Sequence, residues 1–233
     1  MDFLNPIYFS PDKRQYMKFP FEGLDNIETN HSQLHQDLFV LSILNGLRGG
    51  FYLEIGASFP IHLSNTYLLE QGFDWHGIGI EWDQKKASKH RLFRKNKCLN
   101  RDALSISYSE LLDSIYAPKI IDYLSIDIDP SPISLRALQL VLEASEYQFR
   151  IITFEHDFSS GGANERIKSR ELLSNHGYQL VVPDVAWEKY SFEDWWIKPE
   201  LINMSQAKKM CVGKDMGAIN IHEYFYTKYT LIH

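Results

Sequence analysis

Residues 51–58, FYLEIGAS, run apolar out of the double glycine Gly49-Gly50 into an acidic residue and a Gly-Ala turn. A short continuous apolar run of this kind is how a strand buried on both faces reads. The pattern recurs in HGIGIE at 76–81, in the brief run 97–99, in IDYLSIDID at 121–129 and over 149–155. Between these runs the spacing changes to a helical one. Leu34, Leu38, Leu41 and Leu44 share one face of a helix predicted from an N-cap at Ser32 to Gly46. Further helices are predicted over 63–72, stopped by Gly72, then over 84–96, 108–115, 132–144 behind Ser131, and 164–176 before Gly177. Residues 178–185 and 193–197 predict an antiparallel hairpin across the 187–191 loop. The tail, 199–233, holds a basic helix around Ala207 and an alternating run over 218–226. Residues 1–30 are rich in proline and aromatics without a sustained period, which predicts an irregular arm laid on the domain, a candidate cover for the ligand cleft.

Five strands alternating with helices and then a hairpin make an open, mostly parallel α/β sheet with helices on both faces. With 233 residues, 44% hydrophobic and 23% charged, the chain can bury one sizeable core. The expected organisation is therefore one domain over 1–233, with the arm at 1–30, a core at 31–198 and an extension at 199–233. A net charge of -6 gives a nucleic-acid partner no general electrostatic support. No secretory leader and no apolar run long enough to span a bilayer are legible. Cys98 and Cys211 lack motif spacing and read as reduced thiols, so a cytoplasmic protein is expected, with an oligomer compatible.

The chemistry follows from where the strands end. Ligands of open α/β sheets lie outside the carboxyl ends of the strands, so Glu54, Gly56, Ala57 and Ser58 are candidate ligand contacts. Glu81, about 27 residues after Glu54, sits near the spacing at which an acid takes the ribose hydroxyls of a nucleoside. Trp82 is a candidate to stack on adenine, and Asp102-Ala103 follows the third strand where a carboxylate can meet an adenine amino group. Gln33, Gln36 and Asp37, on the first turn of the first helix, are weaker candidates. The turn GASFPIHLSN has one glycine and a proline, so it serves a pyrophosphate poorly. A nucleoside without phosphates makes no such demand, and the reading tips toward S-adenosylmethionine. Asp127 and Asp129 end the most strand-like run, and two acids at a buried strand end are costly unless they meet a cation, a donor or water. Glu155, His156 and Asp157 put three titratable groups at the next strand end, with His156 the natural proton acceptor near neutral pH.

Taken together, SQLHQDLFV at 32–40, GGFYLEIGA at 49–57, SNTYLLE at 64–70, GIGIE at 77–81, DYLSIDID at 122–129, ITFEHD at 152–157 and FEDWWI at 192–197 give the chain a resemblance to the FkbM-type methyltransferases. The resemblance implies a Rossmann-like class I methyltransferase fold with a seven-stranded sheet and a terminal antiparallel hairpin. It implies cofactor contacts at Glu54, Gly56, Ala57, Glu81 and Asp102, with Asn65 and Thr66 starting the next helix, and O-methylation of a sugar, glycan or secondary-metabolite hydroxyl. Phe59-Pro60 stands where the family's common loop has a second glycine, and Pro130 where it often has a glycine. The expected mechanism is attack of an acceptor hydroxyl on the cofactor's methyl group, with His156 as base and Asp127 and Asp129 orienting the hydroxyl. If a divalent metal such as magnesium takes part, Asp127, Asp129 and His156 (or Asp157) are its candidate ligands. Trp187, Tyr190, Trp195 and Trp196 form a candidate sugar-binding wall. Two rivals remain at this stage. One reads Asp127-Ile128-Asp129 as the D-x-D motif of a glycosyltransferase using a nucleotide sugar and manganese; the other is a binding module without catalysis.

Overall fold

The computed structural model describes residues 11–187, 189–213 and 217–227. The parts of the expected arm, hairpin loop and tail at 1–10, 188, 214–216 and 228–233 lie outside the described residues. Strands β1 (Phe51–Ile55), β2 (His76–Glu81), β3 (Lys97–Asn100), β4 (Ile120–Ile126), β5 (Gln148–Glu155), β6 (Gln179–Trp187), β7 (Tyr190–Ile197) and β8 (Ile219–Asn220) form one sheet. Its order is β3-β2-β1-β4-β5-β7-β6-β8. Strand β7 lies antiparallel between β5 and β6 while the other pairings are parallel, so the sheet has the expected plan plus a two-residue eighth strand.

Alternation along the strands builds two cores. Tyr123, Ile151 and Trp195 point to one face and Leu124, Ile152 and Trp196 to the other. Helices α1 (Gln36–Ile43) and α2 (Tyr67–Phe73) pack on the first face, and α4 (Tyr108–Ser114), α5 (Ser131–Glu143) and α6 (Ala163–Asn175) supply apolar side chains to the second. Helix α3 (Gln84–Phe93) is capped by Asp83, whose carboxylate accepts from Lys85 N and Lys86 N. The paired tryptophans of the expected sugar wall are both fully buried, one in each core, because consecutive residues of a central strand face opposite layers. Among the described residues no helix is long and apolar enough to cross a membrane.

Several boundaries differ from the sequence pattern for identifiable reasons. Helix α1 starts at Gln36, because the Asp37 carboxylate gathers His31 N, Ser32 N and Ser32 Oγ into a tight turn that occupies the preceding residues. Helix α2 starts after Thr66, since 58–65 form a loop fastened from outside. The alternating run in the tail is β8 followed by helix α8 (Ile221–Phe225), with Ile221, Tyr224 and Phe225 buried on one helical side. A further short helix, α7 (Met204–Met210), falls where the basic helix is expected.

The described part of the arm buries Met17, Phe21, Leu24 and Ile27 in the first core and lines neither of the cavities at the strand ends described below. It also pairs with the tail. Met17 bridges Tyr226, Lys18 N donates to Phe225 O at 2.8 Å, and Thr227 N donates to Tyr16 O at 2.9 Å.

Candidate functional site

Two adjoining cavities open along the carboxyl ends of β1, β2 and β4, one of about 500 Å³ and one of about 360 Å³. Gly56, Glu81, Trp82, Ile128 and Asp129 belong to both. Gly56 makes this junction. It sits at φ +89, and a Cβ there would lie 1.7 Å from Asp127 O, so only glycine lets β1 turn away while β4 presses against it. Gly56 N and Ala57 N both donate to Ile80 O at 3.0 Å, and Asp127 N donates to Ile55 O, which ties the turn to both neighbouring strands.

The smaller cavity is walled by Ile80, Ala103, Ile128, Pro130 and Ile133, with Asp102 and Trp82 at its polar edge. An apolar slot with a few placed polar groups suits a flat heteroaromatic ring. Asp102 accepts from Leu104 N at 2.9 Å and keeps capacity for another donor. Trp82 is 76% exposed, the geometry of a ring available for stacking rather than packed in a core. Glu81 is buried, and its two carboxylate oxygens accept from Ser58 N and Asp83 N, both at 2.8 Å. It therefore fixes the loop as well as facing the cavity.

The loop 58–65 has no second glycine and is held by a residue that sequence reading missed. Arg94, buried at the end of the basic stretch after α3, donates to Pro60 O, Ser64 Oγ, Thr66 Oγ1, Tyr52 OH and Glu70 Oε2 at 2.8–3.1 Å. Thr66 Oγ1 in turn donates to Glu54 at 2.8 Å. Phe59 lies beneath two ammonium groups, Lys86 Nζ at 5.1 Å and Lys89 Nζ at 5.7 Å from its ring centre. The one available signal was Glu70 in SNTYLLE: a carboxylate on the inward side of a helix needs a cation. Lys86, also missed, reaches Ser58 Oγ at 3.1 Å and is the only basic side chain among the described residues that line the larger cavity.

Across the larger cavity the chemistry changes. Asp127, Asp129, Glu155 and Asp157 line it together with Asn65, Gln33 and Tyr190. Burial raises the Asp127 carboxyl, and burial together with the Asp127 charge and hydrogen bond raises Glu155 well above the ordinary carboxylate value. Burial, then Asp129 and Asp127, push Asp157 up to about 6. On the β1 side burial takes Glu54 to about 7 against the pull of Arg94 and Thr66. Behind the cavity, burial takes Glu193 to about 8 despite hydrogen bonds from Trp195 and Gln36. Gln36 and Asp37 line neither cavity; of the polar first-turn candidates only Gln33 does.

Glu54, Gly56, Ala57, Ser58, Glu81, Trp82, Asp102, Ala103, Asp127 and Asp129 thus gather on the two cavities, and His156 does not. Strand β5 ends by turning Glu155 and Asp157 into the larger cavity and His156 away from it, fully buried. His156 Nδ1 accepts from Phe158 N at 3.1 Å, which leaves the proton on Nε2, 3.4 Å from Asp194 Oδ1 and 3.8 Å from Asp184 Oδ1. Its proton-accepting nitrogen is already used. A metal set of Asp127, Asp129 and His156 is separated by the same turn. The three groups that do converge, His156, Asp184 and Asp194, have ligand atoms within 4.8 Å of one another. Their charge is already met, however: Arg166 forks onto Asp184, and Arg170 forks onto Asp194 at 2.6 and 2.7 Å.

No protein-family model matches the chain, and no curated protein matches it. Among solved structures it is similar to cofactor-bound Rv0187 from MTB, with a TM-score of 0.52 and 14% identity over 81% of this chain and 85% of that one. It is also similar to a proposed O-methyltransferase from Klebsiella pneumoniae, with a TM-score of 0.50 and 16% identity over 70% of this chain and 80% of that one. The fold is the Rossmann-like methyltransferase fold: a mostly parallel sheet closed by an antiparallel strand, with helices on both faces.

Proposed function

We propose that the protein is an S-adenosylmethionine-dependent O-methyltransferase of the FkbM type, acting on a hydroxyl of a sugar, glycan or secondary metabolite. The observation that carries this reading is the pair of adjoining cavities that meet at Gly56 and Glu81, an apolar slot leading into an acidic chamber. The donor set fits the cofactor. Ile80, Ala103, Ile128 and Ile133 would hold the adenine, with Asp102 at its edge, Trp82 against its face and Glu81 on the ribose. The carboxylates around Asp127 and Asp129 favour a cationic group.

When bound, the cofactor supplies a methyl group on a positively charged sulfur, and the acceptor oxygen takes that methyl as the carbon–sulfur bond breaks and its electron pair returns to sulfur. The remaining demand is for a base, because an alcohol is a weak nucleophile at neutral pH. Asp127 meets it better than His156. It faces the cavity, and burial raises its proton affinity. Asp129 orients the acceptor from the rim, and the walls around Tyr190 and Phe192 limit access of water.

The reading is tested by thermal shift with S-adenosylhomocysteine and, separately, with UDP-sugars plus manganese. Stabilisation by S-adenosylhomocysteine is expected; stabilisation by the nucleotide sugar alone would overturn the proposal. With an acceptor in hand, Asp127→Asn is expected to lower kcat by about 10²–10⁴-fold. The parent's turnover should fall on the acid side with an apparent pKa above the usual carboxylate range, since the base works only when deprotonated. His156→Ala is expected to lose folded protein while the folded fraction keeps kcat within about threefold; a kcat loss as large as that of Asp127→Asn would restore the histidine as base.

A further inference from the structure

The acidic chamber holds more negative charge than the proposed cofactor answers. Glu54, Glu81, Asp127, Asp129, Glu155 and Asp157 all line it, against Lys86 alone among the described residues. Near β1 and β2 the acids have partners: Glu81 accepts two backbone N–H groups and Glu54 accepts from Thr66. Near β4 and β5, Asp129 and Asp157 form no ion pair with any described residue, and Asp157 does not cap the turn it begins. A second observation points the same way. Asn65 is 5% exposed on the wall of this chamber; its Nδ2 donates to Ser125 Oγ at 3.0 Å, and its Oδ1 has no hydrogen-bond partner. A buried amide oxygen left unpaired is costly, so it is a place where a donor is missing. The Asp129 and Asp157 carboxylates and the buried Asn65 Oδ1 are acceptors for which no hydrogen bond is formed among the described residues, and together they suit a group that brings several N–H donors and positive charge.

We infer that the acceptor carries a protonated amine beside the hydroxyl that is methylated, as in an amino sugar, and that Asp129, Asp157 and Asn65 Oδ1 receive its N–H donors. The inference rests on the proposed methyltransferase reading and narrows its substrate class. An ammonium suits the site better than a metal ion. Its three donors can serve acceptors spread around a chamber. The carboxylates here do not converge, and the one triad of potential ligands within 4.8 Å among the described residues lies on the other side of β5.

The test is calorimetric titration of the protein saturated with S-adenosylhomocysteine, using glucosamine and galactosamine, each against its N-acetylated form, and magnesium chloride alone. The free amines are expected to bind at least about tenfold more tightly than the N-acetyl sugars. Asp157→Asn, which keeps the shape and tolerates the left-handed backbone at φ 50, is expected to remove that preference while S-adenosylhomocysteine affinity stays within about twofold. Asp129→Asn, at an exposed position, provides a second variant with the same expected loss of preference. Equal binding of amine and N-acetyl forms, no amine binding, or magnesium binding that abolishes the preference overturns the inference. Failure of S-adenosylhomocysteine to bind overturns the methyltransferase reading itself, so the two failures are told apart.

Discussion

Two groups of acids flank the end of β5, and they are built on opposite terms. On one side Asp184 and Asp194 are buried against His156 and are forked by Arg166 and Arg170, so each carboxylate has a cation in contact. Against the upward push of burial, Arg170 and His156 draw Asp194 down to about 2. On the other side Asp157 is pushed up to about 6 and Glu155 well above its ordinary value, with no arginine among the described residues in an ion pair with them. One residue step along the chain separates the environments, since 155 and 157 face the cavity and 156 faces the network. The first group holds β5, β6, β7 and α6 together; the second stores repulsion that a ligand can relieve.

If that contrast is right, neutralising an acid has opposite consequences on the two sides. The largest effect is expected from Asp194→Ala, which removes the fully buried carboxylate that Arg170 forks, leaves that arginine only its contact with Asp184, and should cost about 3 kcal/mol in urea unfolding. The parent should also lose the Asp194 contribution as pH falls from its ordinary 3.8 to about 2, because a depressed carboxylate stabilises only where the unfolded chain has already ionised. Glu193→Gln is expected to act in the reverse direction. Glu193 holds its proton up to about 8 in the folded protein and to 4.5 when unfolded, so its contribution is full below 4.5 and is lost as pH rises to about 8. Above pH 8 the variant should be the more stable, with a flatter pH profile; an unchanged profile would remove Glu193 from the strained set. The smallest effect is expected from Asp157→Asn, a rise of about 2 °C in Tm for the ligand-free protein at neutral pH that fades below pH 6. A fall in Tm there would mean that Asp157 is compensated after all.

The strand ends were the legible part of this molecule. Each of β1, β2, β4 and β5 is an apolar run closed by an acid, and both signals are local. That is why Glu54, Glu81, Asp127 and Glu155 could be placed at one edge before any coordinates. His156 went astray for the opposite reason: its direction depends on a turn after β5, where Asp157 takes φ 50 and Phe158 N binds the ring, and on acids that arrive from β6 and β7. Arg94 was hidden in a run of lysines and arginines most of which are solvated, and only its five partners from distant segments set it apart. In the tail the alternating run over 218–226 leaves its placement open, and packing beside β6 makes Ile221, Tyr224 and Phe225 one side of a helix.

The pairing of the arm with the tail bears on how the protein is made. Tyr16 and Thr227, which it joins, are 211 residues apart in the chain. At a ribosomal rate of about 5–20 residues per second, Met17, Phe21 and their neighbours wait roughly 10–40 s for the segment that helps to cover them. During that interval Met17, Phe21, Leu24 and Ile27 lack the tail side chains that share their core. Helix α8, which follows the arm by some two hundred residues and pairs with it, acts as its latch.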